Sequence, residues 1–227
     1  MGDPIFDKID QNPTIESKII GQLREAIVGG KLALGERLIE SDLADQMAVS
    51  RIPIREAFRL LENEGLITRQ INRGCFVISF SEKDIKEVFS LRVTLEKMAI
   101  EWATPCLTAV DYSNLRQIIQ RQEEAVHGED YAALAKLDMQ FHEVICSKAN
   151  HSRLLKSWME QQVQCQILLN LRFKTMSDYA PGTAISDHTK ILQAMERGDT
   201  QTAQSLTEEI GRRVSQECIK TLQMLEN

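Results

Sequence analysis

The chain has 227 residues, of which 43% are hydrophobic and 26% are charged, and its formal net charge is −6. These values are typical of a soluble globular protein with room for two domains, and no apolar run approaches the roughly 20 residues that a membrane-spanning helix needs. The N-terminus, MGDPIFDKIDQNPT, has no apolar stretch behind a basic start, so we expect no secretory signal and a cytoplasmic location.

The five cysteines lie far apart, are odd in number and form no CxxC pair. This argues against both a disulfide framework and a structural zinc module. A nucleic-acid partner is not indicated by total charge either, because the first 80 residues hold 10 Lys and Arg against 12 Asp and Glu. Locally, however, five arginines stand against three glutamates between Arg51 and Arg73.

Apolar residues at helical spacing predict a first helix over 14–28, which Gly29-Gly30 ends. The segment KLALGERL is predicted to be a turn around Gly35, followed by a short helix, SDLADQMA, with Ser41 or its neighbour as N-cap. A third helix is predicted from the N-cap Ser50 to Gly65, with Pro53 in its first turn. Short β-type runs over 66–68 and 75–78 flank the turn RQINRG and predict a β-hairpin.

From residue 81 onward the pattern is helical throughout. Ser81 with Asp84, and Thr108 with Asp111, have the spacing of capping boxes. Glycine, proline and asparagine breaks divide the remainder into helices near 82–103, 109–127, 130–149, 151–176, 184–197 and 200–225. The sequence therefore predicts a mainly α protein: an N-terminal winged helix-turn-helix with a small β-hairpin wing in residues 1–80, and an all-α helical bundle in residues 81–227.

The stretch VSRIPIREAF over 49–58, with LENEGLI over 61–67 and NRG over 72–74, resembles the GntR family of bacterial transcriptional regulators. The rest of the chain, with Asp138, Phe141-His142, Asp187-His188 and Gly198-Asp199, is similar to the helical effector domain (FCD) of that family's FadR-type branch. The resemblance covers nearly the whole chain and implies a homodimer that binds double-stranded DNA and senses a small molecule.

Arg51 and Arg55 are one helical turn apart at the start of the predicted third helix, where helix-turn-helix proteins reach base edges in the major groove. We expect them to contact bases, since arginine bonds bidentately to guanine. Ser50 and the amides at the start of this helix suit a phosphate oxygen, and Pro53 lies in the same first turn. Arg73 and Gly74 at the tip of the hairpin suit the minor groove or the DNA backbone. These four residues complete the predicted DNA surface. Ser41 stands near a DNA-contacting arginine of some relatives, which implies a weaker, neutral contact there.

Asp138 and His142 are four residues apart on one helix face, and His188 is predicted to begin a later helix that faces the same cavity. Such a set suits zinc, nickel or manganese, and hydrogen-bonded pocket residues without metal are an equal alternative. The resemblance implies one aspartate and three histidines as ligands, and the fourth position falls on Ile210. Cys146, four residues beyond His142, or Glu209 could substitute for the missing ligand, although a bystander role fits each of them better. We therefore expect weak metal binding or none.

Arg92 and Arg172 each lie within apolar helix stretches, and a buried arginine requires an anionic partner. An internal carboxylate such as Glu96, or a carboxylate of the effector, would serve. Because the family senses carboxylic and sugar acids, the resemblance implies a carboxylate-bearing effector, and the predicted effector site consists of Arg92, Asp138, His142, Arg172 and His188.

The predicted function is thus a sequence-specific DNA-binding regulator, not an enzyme. Two alternatives are a metal-dependent enzyme that uses Asp138, His142 and His188, and a helical protein-interaction module. The sequence has no GxSxG, HExxH or glycine-rich phosphate loop, which disfavours the enzyme. The arginines at the start of the third helix would have no purpose in the interaction module.

Overall fold

The computed structural model describes residues 14–226. Over that part of the chain it contains nine α-helices, three short strands and one 3₁₀ turn at Thr104–Cys106. The strands are β1 Arg37–Leu38, β2 Ile67–Gln70 and β3 Gly74–Val77. The helices are α1 Ile15–Val28, α2 Glu40–Gln46, α3 Arg51–Asn63, α4 Glu82–Ala103, α5 Ala109–His127, α6 Tyr131–Lys148, α7 Ser152–Thr175, α8 Ala180–Glu196 and α9 Thr200–Glu226.

The first three helices form a helix-turn-helix unit with a wing. Helix α1 packs on α3, and its buried Ile19 and Leu23 join Ile54 and Phe58 of α3 in one apolar core. Gly65, with φ +72°, lets the chain leave α3 and enter β2. Helix-turn-helix and wing are therefore both present, as the sequence predicts.

The three strands form an antiparallel sheet in the order β1-β3-β2, with Ile67 opposite Val77 and Arg37 opposite Phe76. We will call the β2–β3 hairpin and its turn at residues 71–73 the wing. The sequence prediction of a simple hairpin missed β1, because two residues are too few to show an alternating pattern. It also assigned Arg69, Gln70 and Gly74 to the turn, whereas all three belong to strands.

The C-terminal part is a bundle in which α4 is the central helix, packed against α6, α7 and α9. Both predicted capping boxes are present, at Ser81 with Asp84 and at Thr108 with Asp111. At Gly211 of α9, an added Cβ would lie 2.1 Å from Val93 Cγ2, so glycine is what allows α9 to approach α4 so closely. Within residues 14–226, we find no helix with both the length and the apolar character needed to cross a bilayer.

The helix boundary that differs most from its prediction is the start of α8. Helix α8 begins at Ala180, four residues before the predicted start, and Pro181 lies in its first turn. The sequence interpretation of Pro181-Gly182 as a break was wrong, because proline needs no amide partner in the first turn of a helix. His188 consequently lies in the middle of α8 instead of at its beginning.

Candidate functional site

The first candidate site is the exposed surface at the start of α3. Arg51 and Arg55 are both exposed there, one turn apart. Arg55 reaches back to α2, where its Nη2 and Nε donate to Oε2 of Glu40 over 2.8 Å and 3.2 Å. This contact holds the pKa of Glu40 below its usual range. The guanidinium of Arg55 is therefore oriented, and partly neutralised, before any ligand arrives.

The smaller residues predicted for this surface lie around the same helix start. Ser50 is the exposed N-cap of α3, and its hydroxyl makes no capping hydrogen bond. Pro53 is half-buried in the first turn. Ser41 is not the N-cap of α2, since Ile39 holds that position and Ser41 is the second helical residue, whose hydroxyl donates to Asp42 over 3.1 Å.

The wing carries the other predicted residues of the surface. Arg73 is exposed in the wing turn, with its guanidinium carbon 5.8 Å from the centre of the Phe76 ring. Gly74 begins β3, with φ +102°, and an added Cβ there would lie 3.7 Å from Nε of Arg37. Arg37 of β1 thus lies beside the wing, and the sequence prediction missed it because β1 itself was overlooked.

The second candidate site is a cavity of about 40 Å³ enclosed by α4, α6, α7, α8 and α9. Three of its polar lining residues are the predicted ones: Asp138 and His142 on α6, and His188 on α8, all buried. Their ligand atoms all lie within 4.8 Å of one another. Ile210 of α9 also lines the cavity, whereas Glu209 is exposed. The structure therefore brings the predicted triad together.

Neighbouring side chains fix the tautomers of the two histidines. Nδ1 of His142 lies 3.1 Å from Oε2 of Glu96, and Nδ1 of His188 lies 2.9 Å from Oε1 of Gln122, so each Nδ1 carries a proton and donates. Burial lowers the pKa of His142, which keeps that imidazole neutral. With Nδ1 as the donor, Nε2 of each ring is the atom left available to a ligand.

The three acceptor atoms in the cavity are close enough to share one cation. The two Nε2 atoms are 3.2 Å apart, and Nε2 of His188 is 3.3 Å from Oδ1 of Asp138. Tetrahedral zinc, with bonds of about 2.0–2.1 Å, places its ligand atoms about 3.3–3.4 Å apart. Electron-rich atoms at these distances repel one another unless a proton or a metal ion lies between them. Two of the three separations match this value, and the three ligand atoms all lie within 4.8 Å of one another, so the residues present fit a divalent metal held by three protein ligands.

Arg92 lies behind this triad and is 6% exposed. Its Nε donates to Oε1 of Glu96 over 2.8 Å, and its Nη2 donates to Oδ2 of Asp138 over 2.9 Å. Burial alone would raise the pKa of both carboxyls, but Arg92 and the hydrogen bond from His142 lower the pKa of Glu96 to about 2, and Arg92 with both histidines lowers that of Asp138 well below its usual range. Arg92 thus keeps Asp138 ionised and leaves its Oδ1 facing the cavity.

Arg172 of α7 lines the opposite side of the cavity and is 1% exposed. Its Nε donates to Oε2 of Glu217 over 2.6 Å, while its Nη2 is buried with no hydrogen-bond partner among the described residues. An unpaired buried N–H of a guanidinium is energetically costly. It is the strongest indication in the cavity of an anion that completes the hydrogen bonding.

Sequence reasoning missed Gln122 and Glu217, and treated Glu96 only as a partner of Arg92. Gln122 of α5 contacts His188, which is 66 positions away in the chain, and Glu217 of α9 contacts Arg172, which is 45 positions away. Glu96 of α4 contacts His142, which is 46 positions away. No local spacing could have revealed them. Cys146, considered as a substitute ligand, is buried but does not line the cavity, and burial raises the pKa of its thiol well above the usual range.

Comparison with known proteins gives matches along both parts of the chain. Residues 15–77 match the family described as bacterial regulatory proteins, gntR family, and residues 87–213 match the FCD domain. The gluconate operon transcriptional repressor of Bacillus subtilis is 30% identical over 185 residues, which cover 80% of this chain and 76% of that protein. The HTH-type regulator YdhC of the same organism is 29% identical over 201 residues, or 86% and 87% of the two chains.

Solved structures show the same architecture. A GntR regulator from Rhodococcus sp. RHA1 superposes with a TM-score of 0.77 at 24% identity, covering 90% of this chain and 97% of that one. Escherichia coli McbR/YncC superposes with a TM-score of 0.73 at 21% identity, covering 94% and 99%. At these identities the likeness shows the fold.

Proposed function

Because this chain belongs to the GntR family of bacterial transcriptional regulators and carries an FCD domain, we propose that it binds a pseudopalindromic DNA site as a homodimer and senses a small organic anion in its C-terminal cavity. As a regulator of bacterial DNA it would act in the cytoplasm. It is a transcriptional regulator and not an enzyme, so the metal-dependent enzyme considered from the sequence is set aside.

The exposed start of α3 supports the DNA-binding part of the proposal. Arg51 and Arg55 would read base edges in the major groove, and the Ser50 hydroxyl with the adjacent helix N-terminus would hold a phosphate. Pro53 would fix the first turn of α3, and Ser41 on α2 would add a weak neutral contact. Arg73 and Gly74 of the wing, with Arg37 beside them, would lie along the backbone or in the minor groove. We keep residue 80 as the end of the DNA-binding domain.

A homodimer follows from the size of this surface. One winged helix contacts few base pairs, and two copies related by a two-fold axis read two half-sites one helical turn apart. Selection of duplexes from a random library by the full chain tests this. We expect half-sites about 10 base pairs apart and affinity that falls steeply with salt. Selected duplexes without two-fold symmetry would contradict the dimer, and salt-independent binding would contradict the arginine surface.

The unpaired Nη2 of Arg172 is the observation that carries the effector proposal. An organic carboxylate would accept from this N–H, while His142, His188 and the Arg92–Asp138 pair would define the other end of the ligand. The gluconate operon repressor among the relatives is named for the operon of a sugar acid, which agrees with this class of ligand.

We propose that the same cavity binds a divalent metal ion weakly. Asp138, His142 and His188 would hold a divalent ion such as zinc, nickel or manganese, and Ile210 occupies the side where the family implies a fourth ligand. When bound, the ion would supply positive charge and an open coordination position for a carboxylate of the effector. Metal affinity would then rise when the effector is present.

Calorimetry tests the cavity. Gluconate, citrate and acetate are titrated into the full chain with and without zinc, nickel and manganese, and the titrations are repeated on Arg172→Gln. We expect saturable binding of at least one acid and its loss in the variant. Acid binding that is equal in both proteins would contradict the assignment of Arg172. Tight, stoichiometric metal binding without any acid would contradict the weak site.

A further inference from the structure

Helix α7 touches the cavity with one face and the DNA-binding part with another. Leu169 and Arg172, three residues apart, share the face that lines the cavity. Asn170 and Lys174, four residues apart, share the face that contacts the end of α1. One rigid helix thus links the two candidate sites.

The contacts with α1 are made to its last carbonyls. Nδ2 of Asn170 donates to the carbonyl of Val28 over 2.7 Å, and Nζ of Lys174 donates to the carbonyl of Gly29 over 2.7 Å. The final carbonyls of a helix lack amide partners and form the negative end of its dipole, so a cation and an amide donor both stabilise them. Asn170 is 1% exposed, and its Oδ1 is buried without a partner among the described residues. The amide is therefore held there through its donor.

From α1 the connection continues to the recognition helix α3. The two helices share an apolar core, and Arg24 of α1 donates to both carboxylate oxygens of Glu64, just past the end of α3, over 2.7 Å and 2.9 Å. A displacement of the end of α1 must therefore displace α3, which carries Arg51 and Arg55.

We propose that filling the cavity moves α7 and that Asn170 and Lys174 pass this movement to α1, which makes them the residues that couple the effector to DNA. The inference rests on the proposed function, because it takes the cavity as the effector site and α3 as the DNA-contacting helix. Its physical basis is the close packing of the cavity wall: a ligand larger than the space of about 40 Å³ must push a packed helix as a unit.

A first experiment requires no ligand. Leu169→Ala removes packing on the cavity face of α7, and Leu115→Ala, at an equally buried leucine of α5, is the matched control. Hydrogen exchange is measured at the amides of Lys31 and Leu32, which bond to Ala26 at the end of α1. We expect exchange about threefold or more faster in Leu169→Ala than in Leu115→Ala, and no such difference when Lys174→Met is added to both.

Equal exchange in the two leucine variants would overturn the proposal, as would a difference that survives Lys174→Met. If either alanine variant fails to fold, the valine substitutions at the same two positions replace the pair. No effector or metal takes part, so failure here is separate from failure of the proposed function.

A second experiment measures the coupling itself, with gluconate, which is larger than the cavity, as the probe and a duplex selected by the wild type. Fluorescence anisotropy gives DNA affinity with and without gluconate for the wild type, Asn170→Leu, Lys174→Met and the control Lys190→Met, an exposed lysine of α8. We expect gluconate to change the affinity of the wild type and the control by about fivefold or more, and that of the other two by less than about twofold.

An unchanged gluconate effect in Asn170→Leu and Lys174→Met would overturn the proposal. So would gluconate that binds by calorimetry without altering the DNA affinity of the wild type. Absence of gluconate binding would count against the proposed class of effector, and the exchange experiment would then decide the coupling.

Discussion

Replacement of Arg92 by methionine tests the buried charge network most directly. The guanidinium is the hydrogen-bonded cation between Glu96 and Asp138, and all three side chains are no more than 7% exposed. Methionine fills a similar volume but leaves two carboxylates buried with only neutral neighbours. Removing one partner of a buried ion pair costs about 3–5 kcal/mol, and we expect a loss of unfolding free energy of that size at neutral pH.

The lowered pKa of Glu96 corresponds to a stabilisation of the same size, and it determines the direction in which the unfolding free energy changes with pH. It is lowered from 4.5 to about 2, because Arg92 and His142 outweigh the effect of burial. Proton linkage converts this difference into about 3 kcal/mol of stability, which is present above the unfolded pKa and is lost as the pH falls through the folded one. Without Arg92, burial dominates and raises both carboxyl pKa values. The variant should therefore differ most from the wild type near pH 7, by less at pH 4, where its own buried carboxyls are already protonated, and least below about pH 2.

Urea unfolding followed by circular dichroism, at one protein concentration and at pH 7 and pH 4, measures both effects. The control is Arg116→Met, which breaks a solvent-exposed pair with Glu196 and should cost under about 1 kcal/mol. A loss in Arg92→Met as small as the control's at pH 7 would refute the reasoning. A loss of equal size at both pH values would show that the carboxyls do not depend on Arg92 for their ionisation.

Three further predictions concern DNA and metal. Arg51→Ala and Arg55→Ala should each cost about 1–3 kcal/mol of binding and relax base preference, whereas Arg73→Ala should weaken all duplexes alike; anisotropy titrations with the selected site and single-base variants measure this. Unchanged selectivity in both helix variants would remove α3 from base reading. Ile210→His should strengthen zinc binding in calorimetry because it adds a nitrogen ligand beside the triad, and no gain would mean that Ile210 does not occupy the fourth position. Gln122→Leu should weaken zinc binding about 10–100-fold, since His188 loses the acceptor that fixes its tautomer; an unchanged affinity would contradict that tautomer.

Local patterns were sufficient to predict most of the fold. Both capping boxes and the apolar spacing of α1 and α3 are properties of a few consecutive residues, so these elements follow directly from the sequence. Two predictions failed, one because a residue type is compatible with two structures and one because a strand has no sequence pattern of its own. Pro181 can break a helix or begin one, and β1 is stabilised by pairing with β3 instead of by any pattern of its own.

Local spacing also predicted part of the candidate site. Asp138 and His142 are one helical turn apart and could be paired from the sequence. The groups that set their chemistry, Glu96 and Gln122, come from other helices and are positioned only by the packing of the bundle. The unpaired Nη2 of Arg172 has no counterpart in the sequence at all, because it is a property of what surrounds that side chain.

The size of the cavity has a kinetic consequence. A space of about 40 Å³ admits a few water molecules, whereas a cavity near 150 Å³ is needed for a molecule the size of benzene. An organic acid of the proposed kind would therefore enter only as the helices separate, and the opening step would set an upper limit on its rate of entry. In rapid-mixing experiments the observed binding rate should approach a plateau as the concentration of acid rises. A regulator of this kind would respond to a sustained level of its ligand and would ignore pulses shorter than its own opening time.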